Sequence, residues 1–162
     1  MRPPALLAFC ESLQETELSQ TIQNNSDLIA FLQSMHILAI SALFIAMLVF
    51  NIRLITNKLS DEAFLSGFKY NVVIGLPVLL ITGVFLIIAE PARSLANDAF
   101  QLKMVLLAIV LLLYRYLLQF ASPKADFSHK LVEVSSRVKF FAMLSISIWM
   151  GIIFAGRWIA YL

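Results

Sequence analysis

The sequence has few charged residues and only one cysteine. Asp, Glu, Lys and Arg make up 14% of its 162 residues, whereas soluble domains carry about 25%. Together with 60% hydrophobic residues and a mean hydropathy of +0.87, this shortage excludes an ordinary soluble domain. The lone cysteine, Cys10, cannot form an internal disulfide. A chain of this length and composition predicts a single membrane-embedded domain.

Motifs of several function classes are also missing. There is no basic stripe interleaved with aromatic residues, which argues against nucleic acid as a partner. There is no phosphate-binding loop, no paired-cysteine metal spacing, no HExxH motif and no nucleophile elbow. Internal repeats, which many substrate transporters contain, are absent as well. These absences exclude the common soluble-enzyme classes and argue against a transporter.

Long apolar stretches are what the sequence has in abundance. The first runs from Leu28 to Ile52 without a formal charge, which is long enough to cross a bilayer as a helix. We predict four such crossings, at about residues 28–51, 70–89, 99–120 and 140–161. Because the connections between them are short, they predict an all-α integral membrane protein, an antiparallel four-helix bundle.

The N-terminal part has a different pattern. Over residues 5–24, apolar residues recur at three- and four-residue steps, with Glu and Gln on the other face. This pattern predicts an amphipathic helix that lies on the membrane surface. Ser26 or Asp27 is expected to cap the first crossing. The chain thus divides into an interfacial segment, residues 1–26, and the helical bundle, residues 27–162.

The basic residues predict the orientation. They are concentrated in the connection between the first and second crossings and in that between the third and fourth. The N-terminal segment has only Arg2 against several acids, and the connection after Glu90 holds only Arg93 and Lys103. The positive-inside rule places the two basic connections in the cytoplasm. Both termini are then expected on the periplasmic side of a bacterial inner membrane.

One histidine lies inside an apolar stretch. An ionisable side chain at the depth of His36 indicates a functional site. Under the predicted topology, His36, Lys103 and Arg157 come from three helices and meet in the outer half of the bundle. His129 belongs to a cytoplasmic connection and cannot reach His36, so a bis-histidine haem within one chain is excluded.

Three cofactors suit this cluster. Haem b would take His36 as an axial ligand, with Arg157 on a propionate because a guanidinium matches a carboxylate. The sixth position would be empty, or taken by Lys103 or a methionine, of which Met150 is the best candidate. Copper would bind Met35, His36 and the other methionines, since it accepts imidazole and thioether ligands. A quinone headgroup would bind Gln33 and His36, which lie three apart on one helix face.

The same residues also have structural explanations. His36 could be hydrogen-bonded across helices, and the methionines could fill gaps in the core. Arg157 could anchor the last helix at the membrane interface, while Lys103 could extend outward to water. Small residues such as Thr82 and Gly83 let either a neighbouring helix or a flat ligand approach closely. The convergence of three basic side chains from three helices favours the cofactor.

Three stretches resemble an uncharacterised family of four-helix bacterial inner-membrane proteins. They are TELSQTIQNNSDLIAFLQSMHILAI (16–40), NDAFQLKMVLL (97–107) and GRWIAYL (156–162). A histidine in the first crossing and a lysine that opens the third resemble, more distantly, copper-resistance-D-like proteins and HemJ-type protoporphyrinogen oxidases. The latter resemblance implies haem on His36 and an outer-side basic role for Lys103. Because the sequence lacks the Arg-Asn-Glu-Pro stretch of those oxidases, it implies a cofactor and no particular reaction.

We therefore expect a membrane protein that holds one haem b toward the periplasmic face and transfers electrons. Its partners would be the lipid bilayer, the quinone pool and a periplasmic or other redox protein, or a second copy of the chain. If it is an enzyme, it is an oxidoreductase or an electron-transfer subunit. The alternatives are a copper-binding or copper-transport protein and a cofactor-free accessory subunit of a larger membrane complex.

Overall fold

The computed structural model describes residues 4–58, 62–121 and 134–158, with the backbone alone for residues 157 and 158. This part of the chain is almost entirely helical, which confirms the all-α prediction. Its helices are α1 (Pro4–Gln14), α2 (Glu17–Gln23), α3 (Ser26–Ile55), α4 (Glu62–Ala89), α5 (Pro91–Leu95), α6 (Asp98–Ala121) and α7 (Ser136–Trp158).

Four of the helices, α3, α4, α6 and α7, are long and apolar enough to cross a membrane. They cover the four apolar stretches, but most of them run beyond the predicted bounds. The largest difference is in α4, which begins at Glu62 instead of near residue 70. The reason is that Lys69 lies on an exposed face and so continues the helix without entering the core. Residues 159–161 of the predicted fourth crossing lie outside the described residues.

The N-terminal segment contains two helices, so the prediction of a single helix over residues 5–24 is wrong. The break falls at Thr16, whose backbone is extended (φ −66°, ψ 145°). The Thr16 hydroxyl accepts a hydrogen bond from the Ser19 N–H (3.3 Å) and donates one to the Leu13 carbonyl (2.7 Å). A side chain that caps α2 in this way also ends α1.

Two of the long helices, α3 and α6, begin directly after an asparagine. The prediction of Ser26 or Asp27 as the cap of α3 is wrong, because Asn25 takes this position and its Oδ1 accepts from the Leu28 N–H (3.1 Å). Asn97 acts similarly at the start of α6, where its Oδ1 accepts a backbone N–H at 2.9 Å. An N-cap oxygen satisfies one of the free N–H groups in the first helical turn.

The long helices are arranged in the order α4, α3, α7, α6. α3 packs against both α4 and α7, and α7 packs against α6, whereas the backbones of α4 and α6 do not come comparably close. α5 joins α4 to α6 at one end, and α1 packs on α5. α2 packs on α3 and α4, where the Ser19 hydroxyl donates to the Ile88 carbonyl (2.7 Å).

Aromatic rings fill the core at one end of the long helices, which we call the aromatic end. Phe50 of α3 and Phe68 of α4 stack there, with centroids 4.5 Å apart and planes within 3°. Tyr114 of α6 meets Phe68 edge-on at 5.6 Å. Nearby, the buried Asn51 amide donates to the Ser145 hydroxyl (3.2 Å), which joins α3 to α7. Large rings therefore close α4 against α6 at this end.

Candidate functional site

A cavity of about 330 Å³ lies at the other end of the long helices, which we call the cavity end. It is lined by residues between 29 and 40 of α3, 79 and 89 of α4, 100 and 107 of α6, and 149 and 156 of α7, and by Glu90 between α4 and α5. α5 contributes Arg93 and Ser94. The volume falls in the range of roughly 300–1,000 Å³ that is typical of small-molecule sites.

The structure brings together three of the five residues that the sequence singled out. His36, Gln33 and Lys103 all line the cavity. Met150 does not, and its side chain is 43% exposed. The side chain of Arg157, and the whole of His129, lie outside the described residues. A site built from α3 and α6 is therefore what the described residues support.

The inward face of α7 differs from the one that the sequence suggested. Trp149, Ile152 and Gly156 line the cavity. Consecutive residues of a helix are rotated by about 100°, so Met150 points away from the face that Trp149 presents. The sulfur that does line the cavity belongs to Met104 of α6, which sequence reasoning missed because nothing in the pattern separated it from other helix-face methionines.

The orientation of His36 is fixed by Thr82 of α4. Its Nδ1 lies 2.9 Å from the Thr82 Oγ1, which in turn lies 2.7 Å from the Val78 carbonyl oxygen. A hydroxyl has one hydrogen to donate, and the short contact to the carbonyl takes it. Thr82 must then accept from His36, so Nδ1 carries the hydrogen of the neutral ring and Nε2 carries the lone pair. Among the described residues, Nε2 has no hydrogen-bond partner.

Gly83 makes room for this arrangement. A Cβ at this position would lie 3.3 Å from the Cε1 of His36 and 3.8 Å from its Nδ1. The Nδ1–Cε1 edge of the ring therefore rests against α4, and Nε2 is the nitrogen left for a ligand. A ligating histidine commonly has this arrangement, with one nitrogen hydrogen-bonded and the other free.

The bond to Thr82 also fits the structural explanation of His36, since it joins α3 to α4. Gly83 likewise lets the His36 side chain of α3 approach α4 closely. However, an interhelical bond needs only Nδ1. It does not account for the position of the ring in the cavity wall or for the unpartnered Nε2.

Lys103 supplies a positive charge to the cavity. Its Nζ lies within 3.7 Å of where a Cβ at Gly156 would be, so the side chain extends from α6 to α7. In the described part of the chain, no hydrogen bond or ion pair engages this ammonium group. The charge pair at the cavity is Arg93 with Glu90 (2.9 Å), next to one another at the α5 side. A lysine without a counter-ion in a mainly apolar cavity holds its positive charge best when an anionic ligand lies beside it.

Trp149 adds a second unsatisfied group. Its side chain is 2% exposed, and its indole N–H has no acceptor among the described residues. Buried indole N–H groups normally have a hydrogen-bond partner. Because Trp149 lines the cavity, an acceptor atom of a bound molecule would satisfy it.

The described residues contain no group of three or more His, Cys, Asp or Glu that could hold a metal ion. Cys10 is buried in α1 and is not among the lining residues. Any metal at this cavity would therefore depend on His36 with ligands of other kinds, such as thioethers or the nitrogens of a macrocycle.

The described residues thus form an all-α protein with four helices that are long and apolar enough to span a membrane. Between these helices lies a mainly apolar cavity with a few polar lining residues. Residues 18–162 match the model of a family of unknown function (DUF6644), and the chain belongs to that family. No curated protein and no solved structure matches the chain. The comparisons thus agree with the resemblance to an uncharacterised family. They provide no similarity to copper-resistance-D-like or HemJ-type proteins.

Proposed function

We propose that the protein crosses a bacterial inner membrane as an antiparallel four-helix bundle, with both termini on the periplasmic side. Its long helices support this, because they expose large apolar side chains that only lipid would cover well, among them Leu38, Val73, Leu112 and Phe154. The basic connections support the orientation through the positive-inside rule. The cavity end would then face the periplasm.

We further propose that the cavity holds one haem b on His36 and that the protein transfers electrons. The observation that carries this proposal is the Nδ1 bond to Thr82 with Nε2 free in the cavity wall. Haem would supply one-electron chemistry when bound. The chain would bind the iron through Nε2, hold the ring through Thr82, and exclude water through the apolar walls.

The charged groups fit a ligand that carries carboxylates. Lys103 has no counter-ion among the described residues, so a propionate would pair with it at little competing cost. Arg93 is less available because Glu90 already engages it. Arg157 stays a proposed second propionate partner, and its neighbour Gly156 lines the cavity.

A quinone headgroup is the second candidate for the same cavity. The observation that favours it is that Gln33 lines the cavity beside His36. The amide and the unpartnered Trp149 N–H could donate to carbonyl oxygens of a quinone. The copper protein and the cofactor-free subunit stay alternatives. Met104, which lines the cavity with His36, suits copper, and the bond of His36 to Thr82 suits a subunit without a cofactor.

An absorption spectrum of the detergent-purified full chain, oxidised and reduced, tests the haem proposal. We expect a Soret band in protein expressed with ample haem, and its loss in His36→Ala. Met35→Ala, a neighbouring change outside the cavity lining, is the matched control and should keep the band. A colourless wild type that co-purifies with quinone would support the second candidate. A colourless and quinone-free wild type would leave copper binding, which metal analysis of the purified protein tests, and the structural role of His36.

A further inference from the structure

Two sides of the cavity reach the outer surface. α3 and α7 form its back, and Leu79 and Leu107 lie toward the aromatic end. At the opposite end, Glu90 and Arg93 line the cavity with side chains that are 49% and 57% exposed. The remaining side lies between α4 and α6, whose backbones do not pack closely. At the aromatic end Phe68 and Tyr114 fill the space between these two helices, but no such ring pair exists among the described residues at the cavity end.

Three lining residues identify the opening between α4 and α6. Leu80 and Val84 of α4 and Met104 of α6 line the cavity and are each about half exposed. Leu80 and Val84 are four apart and so lie on one face of α4. Residues that touch both the cavity and the outer surface lie at its mouth. The mouth is apolar, and it opens on the same lipid-facing surface that the long helices present.

The polar groups lie behind this mouth. Lys103 reaches across to Gly156 of α7, and the Trp149 N–H is buried without an acceptor among the described residues. A molecule that enters between α4 and α6 would therefore meet apolar side chains first. Its acidic group would reach Lys103 at the back of the cavity.

We propose that the cavity takes up its occupant from the bilayer, through the gap between α4 and α6, and that the occupant is an amphiphile with an acidic head. The inference rests on the proposed function in using the same cavity in a membrane. The inference does not require bound iron, because the entrance selects the occupant by its shape and Lys103 selects it by its charge.

Quenching of Trp149 fluorescence tests the inference. The protein used for this test is the full chain with two substitutions. His36→Ala prevents haem binding, and Trp158→Phe leaves Trp149 as the remaining indole. The protein is reconstituted in phosphatidylcholine vesicles and titrated with stearic acid brominated in its chain. We expect saturable quenching, and about tenfold weaker binding of the brominated methyl ester, which has no charge to pair. Lys103→Gln should weaken binding of the acid about tenfold and leave the ester unchanged.

The entrance is tested by the rate of quenching. Val84→Phe narrows the mouth and should slow it about tenfold. Ile81→Phe is the matched control, because Ile81 is similarly exposed on α4 (57% against 53%) but does not line the cavity. Met104→Phe, with Val105→Phe as its control, repeats the comparison on α6. Helical content measured by circular dichroism shows that each variant is folded.

Three results would overturn the inference. Equal quenching by brominated phosphatidylcholine would show simple exposure to bulk lipid. Equal binding of acid and ester, or no effect of Lys103→Gln, would contradict the claim that the occupant has an acidic head. Equal quenching rates for Val84→Phe and Ile81→Phe would contradict the claim that the occupant enters between α4 and α6. A colourless wild-type protein, by contrast, contradicts only the haem proposal and leaves these measurements standing.

Discussion

The aromatic end and the cavity end are built from the same helices but have opposite contents. At the aromatic end, Phe50 and Phe68 stack within 4.5 Å, and Tyr114 closes α6 onto them. At the cavity end, the residues of α4 that contact His36 of α3 are the small Thr82 and Gly83. A ring contact therefore joins α4 to α6 at the aromatic end, and no such contact among the described residues joins them at the cavity end.

Under the proposed function, this difference separates stability and binding along the helix axes. Buried rings provide dense packing, which is the main stabilising contact between helices when lipid surrounds them. The cavity end gives up such packing and retains polar groups without partners among the described residues, notably Lys103 and the Trp149 N–H. Changes at one end should therefore affect one property and spare the other.

The largest effect is expected at the aromatic end. Phe50→Ala removes a ring that is 1% exposed, and the resulting void should lower the free energy of unfolding by about 3 kcal/mol. Val49→Ala, at an exposed neighbour, should change it by less than about 1 kcal/mol. Both are measured by denaturation in detergent. Haem content per folded chain should stay at the wild-type value, and its loss in Phe50→Ala would contradict the separation of the two ends.

An intermediate effect is expected at Thr82, which positions His36 at the cavity end. Thr82→Val keeps the shape but cannot accept the Nδ1 hydrogen bond, so the haem dissociation constant should rise about 10–100-fold. The midpoint potential should shift as well, because the imidazole loses a partner that tunes it. Thr82→Ser should restore both values. A variant that only unfolds more easily, with unchanged affinity and potential, would indicate that Thr82 serves helix packing alone.

The smallest effects come from glycines of α4 outside the cavity. A Cβ at Gly75 would lie 3.0 Å from two atoms of the buried Leu43 side chain, so Gly75→Ala should lower the free energy of unfolding by about 1 kcal/mol. A Cβ at Gly67 would meet nothing within 4 Å, so Gly67→Ala should raise it by about 0.5–1 kcal/mol. Neither should alter haem binding. Thermal unfolding of the two variants, compared with the wild type, shows whether each change lowers or raises the free energy of unfolding.

The sequence was sufficient for the long helices but not for their ends. Hydropathy identifies α3, α4, α6 and α7 because bilayer thickness requires long apolar runs. It does not locate Glu62 as the start of α4, since polar residues can continue a helix on an exposed face. It also misses Thr16, where a single hydroxyl divides the N-terminal segment, because that depends on a local hydrogen bond that many threonines could make.

The site was accessible from the sequence only as separate residues. His36, Gln33 and Lys103 stood out because polar side chains are rare in apolar helices, and all three line the cavity. The partnership of His36 with Thr82 depends on how α3 and α4 are rotated against one another, which no single-helix pattern contains. For the same reason the sequence favoured Met150, whereas the rotation of α7 presents Trp149 to the cavity.

Pro77 lies in α4 between Phe68 and Thr82, and therefore between the two ends. Proline has no N–H, so the carbonyl of residue 73 lacks its usual donor and α4 is less stiff at this point. The cavity wall that carries Thr82 and Gly83 is therefore joined to the stacked rings through a helix turn that lacks one backbone hydrogen bond. We expect strain from a bound molecule to be taken up at Pro77 before it reaches the aromatic end.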